Sequence, residues 1–145
     1  MPRVKQLVVT LENKPGALAQ IASTLREAKV NISAVLAPDI SGKGKVRLVV
    51  DNPDKAKEAL KAAKIRASEE EAVAVNLANK PGALAEAAQK LAQSRVNIKY
   101  AYATVPEGSR KATTILGVSN VAKALSALGE AETPAASPQP ELPSA

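Results

Sequence analysis

Asn13-Lys14-Pro15-Gly16-Ala17-Leu18-Ala19 returns without a change as Asn79-Lys80-Pro81-Gly82-Ala83-Leu84-Ala85, 66 residues further on. Val30-Asn31-Ile32 returns at the same offset as Val96-Asn97-Ile98. Identity of this length, with a third shared triplet in register, marks one structural unit written twice. The 145 residues therefore divide into a first unit at 1–68, a second at 69–129 and a remainder at 130–145. Units this small bury a modest fraction of their surface and are expected to pack further rather than stand alone.

Outward from each repeat the pattern is regular. Before it, Leu7, Val9 and Leu11 alternate with Val8, Thr10 and Glu12, as on a strand with one buried face, and Val73, Val75 and Leu77 are their counterparts. Within it, Pro15 suits the first turn of a helix, where its missing N–H is not needed. Leu18, Ile21, Ala22 and Leu25 follow at helical spacing, matched by Leu84, Ala87, Ala88 and Leu91. The helices end near Lys29 and Arg95, and second strands run from Ile32 to Leu36 and from Ile98 to Ala103. Pro38–Gly44 reads as a hairpin connection, and its partner around Pro106–Arg110 reads as two residues longer. Val46, Leu48 and Val50 form a third strand, with Thr114, Leu116 and Val118 as counterparts in the second unit. A second helix follows on Ala56, Ala59, Leu60 and Ala63, and again on Val121, Ala124, Leu125 and Leu128.

A short closing strand around Ile65–Ala67 completes βαββαβ in the first unit, the split ferredoxin-like plan. Glu69, Glu70 and Glu71 read as a polar junction after it. The second unit has no such strand. Its sheet is expected to keep an open edge or to borrow a strand, with Ile65–Ser68 folding back as one candidate. Residues 130–145 are rich in Pro and Ala and are expected to be a disordered tail. The fold class is thus α+β, two ferredoxin-like units in tandem, with antiparallel sheets and helices on one face.

Composition narrows the chemistry. There is no Cys, so thiol and disulfide chemistry are excluded, and no His, the commonest acid–base catalyst and metal ligand. No nucleophile–base pair, catalytic residue, metal site or cofactor is expected. No stretch approaches 18 apolar residues and residues 1–12 lack a signal-like apolar run, so a soluble, cytoplasmic protein without membrane contact is expected. The net charge is +6, and because residues 129–145 hold three Glu and no Lys or Arg, residues 1–128 carry +9. The cations are scattered along both units rather than clustered, which fits a solvated surface better than a nucleic-acid face.

The chemistry lies in the repeated turn. Asn-x-Pro-Gly between strand and helix gathers unpaired backbone N–H groups at the positive end of a helix dipole, a place that attracts anions. Gly16 and Gly82 carry no Cβ, so a ligand can come close to the main chain. The amides of Asn13 and Asn79 offer donors and an acceptor together. A free amino acid presents the matching pair of charges side by side. A few hydrogen bonds to charged groups, about 1.5–3 kcal/mol each, reach roughly micromolar to millimolar affinity. The same turn also serves as a well-made helix start and nothing more.

Asn-x-Pro-Gly-x-Leu, followed about a dozen residues later by Asn-Ile at the head of a second strand, resembles the ACT domain, a βαββαβ module that binds amino acids and regulates metabolic enzymes. Both units match, over roughly residues 3–128, so the chain resembles the free-standing tandem-ACT proteins of bacteria that lack an attached catalytic domain. The resemblance implies an amino-acid ligand at the seam where neighbouring ACT sheets join. It implies contacts from Asn13, Gly16, Ala17, Leu18 and Asn31, and from Asn79, Gly82, Ala83, Leu84 and Asn97. It further implies a metabolic enzyme regulated in trans, and a homodimer is expected because an unfinished sheet and small cores favour further burial. Three departures stand out. Leu11 and Leu77 occupy a position that is polar in some serine-binding members, which argues against a small hydroxylated ligand. Lys29 and Arg95 replace the Gly that usually ends the first helix, at about 1 kcal/mol each if they stay left-handed. The missing last strand is the third.

Asn31 and Asn97 also suit a chain leaving a helix, without any ligand. Tyr100 and Tyr102 share one strand face and are read as packing or interface residues. The leading function is a non-catalytic amino-acid sensor. A purely structural ACT oligomerisation module is the alternative, as is weak RNA binding on the same fold. RNA-recognition modules stack bases on central-strand aromatics, whereas Val8, Val9, Val49 and Val50 stand here, so nucleic acid is an unfavoured partner.

Overall fold

A computed structural model describes residues 3–38, 41–105 and 107–129. Ten elements follow the expected order: β1 (Arg3–Glu12), α1 (Ala17–Glu27), β2 (Ile32–Leu36), β3 (Lys43–Val50), α2 (Pro53–Ala62), β4 (Ala67–Ala78), α3 (Ala83–Gln93), β5 (Ile98–Thr104), β6 (Lys111–Val118) and α4 (Val121–Ala127). They form two compact units, Lys5–Glu70 and residues 3–4 with 71–129. The expected tail at 130–145 lies outside the described residues.

In the first unit the strands run β2-β3-β1-β4. β1 and β3 pair antiparallel, with Leu7 opposite Leu48 and Val9 opposite Val46. Strand alternation sends Leu7, Val9, Val46, Leu48 and Val50 to one face, where Ile21 and Leu25 of α1 and Ala56 and Leu60 of α2 close over them. Both helices therefore cover the same side, as the hydrophobic periodicity requires. The second unit repeats the plan in the order β1-β4-β6-β5, with Val73, Val75, Leu116 and Val118 beneath Leu91, Ala124 and Leu125. The α+β, ferredoxin-like reading of both units is thereby met.

The closing strands differ from the expectation. Glu69–Glu71 is not a junction: β4 runs unbroken through it. Nothing there forces a turn, because each carboxylate has a cation within its own unit. Lys5 and Lys57 flank Glu69, Arg47 reaches Glu70 at 3.0 Å, and Arg3 reaches Glu71 at 2.9 Å. Ile65–Ser68 does not fold back, and Ala67–Glu70 serves as the last strand of the first unit. The second unit takes its edge segment from the start of the chain, Arg3 and Val4, and Val4 is fully buried there. The division accordingly falls after Glu70 and returns residues 3–4 to the second unit.

Two smaller differences concern the connections. The extra residues of the second copy lengthen β5, seven residues against five in β2, rather than the hairpin link. The helices end in left-handed residues although these are not Gly: Lys29 at φ 59°, Lys64 at φ 61° and Arg95 at φ 58°. Each closes its helix with paired bonds of the Schellman type, Val30 N–H to Leu25 O and Lys29 N–H to Arg26 O, both 2.9 Å, at the first.

Candidate functional site: the paired strand–helix corners

Both repeats fold into the same corner. α1 and α3 start at Ala17 and Ala83, two residues later than a Pro at the first helical position would place them. Pro15 and Pro81 instead enter the turn, and the capping positions are Gly16 at φ 88° and Gly82 at φ 89°. A residue with a Cβ is strained in that backbone. No side chain caps either helix. Ala17 N–H reaches Lys14 O at a long 3.3 Å, and Gln20 N–H returns to Gly16 O at 3.0 Å. Between them, the N–H groups of Leu18 and Ala19 have no backbone partner among the described residues, and the same holds for Leu84 and Ala85. Each corner thus presents unpaired donors at the positive end of an eleven-residue helix.

A hollow lies beside each corner. The first, about 220 Å³, is lined by Asn13, Lys14, Leu18, Pro38, Gly44 and Val46 among others. The second, about 370 Å³, is lined by Asn79, Lys80, Leu84, Tyr102, Ala103 and Thr114 among others. Leu18 and Leu84 are exposed, at 43% and 55%, and Ala17 and Ala83 are half-buried beside them. Nothing lies within 4 Å of where a Cβ on Gly16 or Gly82 would stand, so these glycines are required by backbone angle and not by crowding.

The asparagines are not all at the corner. Asn13 and Asn79 are: their backbone N–H groups donate to Gly42 O at 2.7 Å and Arg110 O at 2.8 Å, tying the corner to the hairpin link. Part of the Asn79 amide is already used, since Nδ2 donates to Ser109 O at 3.2 Å. Asn31 and Asn97 stand at the opposite end of their sheets. Glu12 pairs with Lys43 at the start of β3, whereas Ile32 pairs with Val50 at its end. The eight residues of β3 put about 25 Å between those ends. Asn31 N–H donates to Asp51 Oδ1 at 3.1 Å and Asn97 N–H to Ser119 Oγ at 3.0 Å, which leaves their exposed side-chain amides unengaged among the described residues. Within one unit, corner and strand head do not meet on a single ligand.

Two residues that border the hollow were not read as part of a site: Tyr102 was read as a packing or interface residue and Thr114 as a strand residue. Tyr102 borders the second hollow, while Tyr100 packs over Gly117, and the two rings lie 6.5 Å apart between centroids. Thr114 is buried at 5% exposure, at the position that Val46 holds in the first unit. The sequence already aligned Thr114 with Val46, but only the hollow beside it gives that change a meaning.

A wider hollow, about 760 Å³, lies away from both corners, between α2 and Ile65–Ala67. Its cations Lys57, Lys61, Lys64 and Arg66 alternate with Asp54 and Glu58, and Lys57 is already held by Glu69. That contact raises the affinity of the Lys57 amine for its proton and holds the Glu69 carboxyl below the usual range. It is a wide, solvated charged surface. No group of acidic residues able to hold a metal ion occurs among the described residues.

Sequence and structure comparisons bear on the family and the fold. The profile of the ACT domain pair matches residues 2–128. This chain is an ACT-domain pair. Among solved structures it is similar to protein BT0572 from Bacteroides thetaiotaomicron, at 31% identity and TM-score 0.81, over 88% of this chain and 87% of that one. The ACT fold is shared with the aspartate kinase regulatory subunits of Thermus thermophilus, at 18% identity and TM-score 0.59, over 88% and 91% of the two chains. The regulatory subunit from Thermus flavus is 16% identical, with TM-score 0.61 over 89% and 92%. No curated protein matches the sequence. ACT domains are regulatory modules, and no helix among the described residues of this pair is long and apolar enough to cross a membrane.

Proposed function

We propose that this ACT pair is a non-catalytic, cytoplasmic sensor of a free amino acid, which binds at the strand–helix corners and acts in trans on a metabolic enzyme. The observation that carries the reading is the repeated corner. Glycine-capped helix starts leave first-turn N–H groups unpaired beside a hollow, in both copies, with an Asn at the rim. The amino acid's carboxylate takes those donors, and its ammonium takes acceptors from the Asn amide and nearby carbonyls. The fold likeness to aspartate kinase regulatory subunits supports a role as a separate regulatory chain. Because Asn31 and Asn97 lie far from the corners of their own units, a ligand touching both kinds of residue needs more than one unit, and we place the other unit in a second copy of the chain. A homodimer follows from the proposal, and ligand-linked change in its packing is the regulatory step.

A thermal-shift panel of the twenty amino acids tests the reading. A true ligand at a hundred times its dissociation constant adds about 2.7 kcal/mol of stability. Leu18→Glu combined with Leu84→Glu abolishes that shift, since the new carboxylates repel the ligand's own. The fold survives the change, because acids favour a helix's first turn. No shift with any amino acid withdraws the sensor and leaves a structural ACT module.

A further inference from the structure

The two corners share a main chain but differ in the wall that faces it. Thr114 lies on the helix-covered face of β6, two and four residues before Leu116 and Val118 of the core. It pairs with Val75 across the ladder, as Val46 pairs with Val9 in the first unit. Thr114 is more than nine-tenths buried, and its hydroxyl has no hydrogen-bond partner among the described residues. That oxygen is not among the fully enclosed side-chain atoms that lack a hydrogen bond. It opens into the hollow that Thr114 lines together with Ala83 and Leu84 of α3. At this position Val serves equally well in the other copy, so packing does not call for the hydroxyl, and a ligand group that enters the hollow can bond to it.

Charge distinguishes the corners too. Lys14 pairs with Glu12 at 3.3 Å, whereas Ala78 replaces that acid in the second copy and Lys80 makes no ion pair among the described residues. The second lining holds no carboxylate, so a cationic side chain has no partner there.

Resting on the reading of the corners as amino-acid sites, we propose that the hollow beside α3 selects an amino acid with a neutral hydroxyl or amide side chain. Thr114 Oγ1 is the hydrogen-bonding partner, and Lys80 assists the carboxylate. The hollow beside α1, walled by Val46, makes no such distinction. Leu77 borders the second hollow but is only part of its wall, and the polar contact comes from the strand opposite.

Titration calorimetry with near-isosteric pairs, threonine against valine and asparagine against leucine, tests this on the full chain. The wild type binds the polar member of at least one pair about tenfold more tightly at one site, the worth of one neutral hydrogen bond, and the pair that responds tells hydroxyl from amide. Thr114→Val removes the preference, Thr114→Ser keeps it, and Val46→Thr creates it at the other corner. Circular dichroism melts verify that each variant is folded. Amino-acid binding with no polar preference, or with a preference that Thr114→Val leaves intact, overturns the inference and spares the sensor. Absence of binding by every amino acid overturns both.

Discussion

The corner at Asn13–Ala19 and the corner at Asn79–Ala85 are identical in sequence and in backbone, with Gly16 and Gly82 one degree apart in φ. Their surroundings are not. Val46 in the first corresponds to Thr114 in the second, the Glu12–Lys14 pair to a Lys80 without an ion pair among the described residues, and a hollow of about 220 Å³ to one of about 370 Å³. Duplication has therefore kept what the main chain does and let the side-chain wall drift. On the proposed sensor reading, main-chain donors read the part that every amino acid shares, and the wall reads the part that differs. The same trade appears behind the corners. β2 sets Ala34 against Val49, whereas β5 sets Tyr100 against Gly117, large against small in opposite order.

The kept half of this comparison is the most fragile. Gly16→Val and Gly82→Val force a β-branched residue to positive φ, so each lowers stability by about 2–3 kcal/mol in urea titrations. The two losses are equal, and tolerance at one corner would break the equivalence. Such variants report on the turn, and Leu18→Glu and Leu84→Glu are the cleaner probes of ligand approach.

The swapped pair comes next. A Cβ on Gly117 would overlap the Tyr100 ring. Gly117→Val is expected to cost about 1–3 kcal/mol, and adding Tyr100→Ala recovers much of it by recreating the Ala–Val pair of the first unit. A double-mutant cycle reads the coupling. If the second change recovers nothing, the two strand pairs are not alternative solutions to one packing problem.

Helix ends are a finer test. Lys29→Gly and Arg95→Gly relieve left-handed non-glycine residues and each should raise stability by about 1 kcal/mol. Equal gains in thermal melts sharpen the symmetry of the two copies. The smallest effect concerns charge. Lys57, then Lys5, hold the Glu69 carboxyl below its ordinary range. A lowered acid contributes stability above its unfolded value, near pH 4.3, and loses it as pH falls through the lower folded value. Glu69→Gln should flatten the acid limb of the melting curve only slightly, because both partners are substantially exposed.

Most of this architecture was legible in the residues. Leu7, Val9 and Leu11 alternate because one face of β1 is buried, and Leu18 to Leu25 recur at helical spacing because one stripe of α1 meets that face. These are local patterns. Thr114 was read as one more strand residue, since its significance depends on an empty space that no periodicity describes. Asn31 and Asn97 were grouped with the corners by family resemblance, while the strand register places them at the far end of each sheet. Glu69–Glu71 looked like a break because three like charges repel, and only the Arg and Lys residues brought beside them by the fold make the stretch a strand. The extension of β5 was hidden because an added pair of residues reads equally well as loop.

Val4, near the beginning of the chain, completes the unit made near its end. During synthesis the second copy therefore emerges with its finishing piece already made and waiting, some seventy residues upstream. The repeat boundary seen in the sequence is consequently a poor place to cut. A fragment beginning at Glu71 would leave the ribosome without the border it needs, and the sound dissection restores that border by fusing the opening residues behind the last helix.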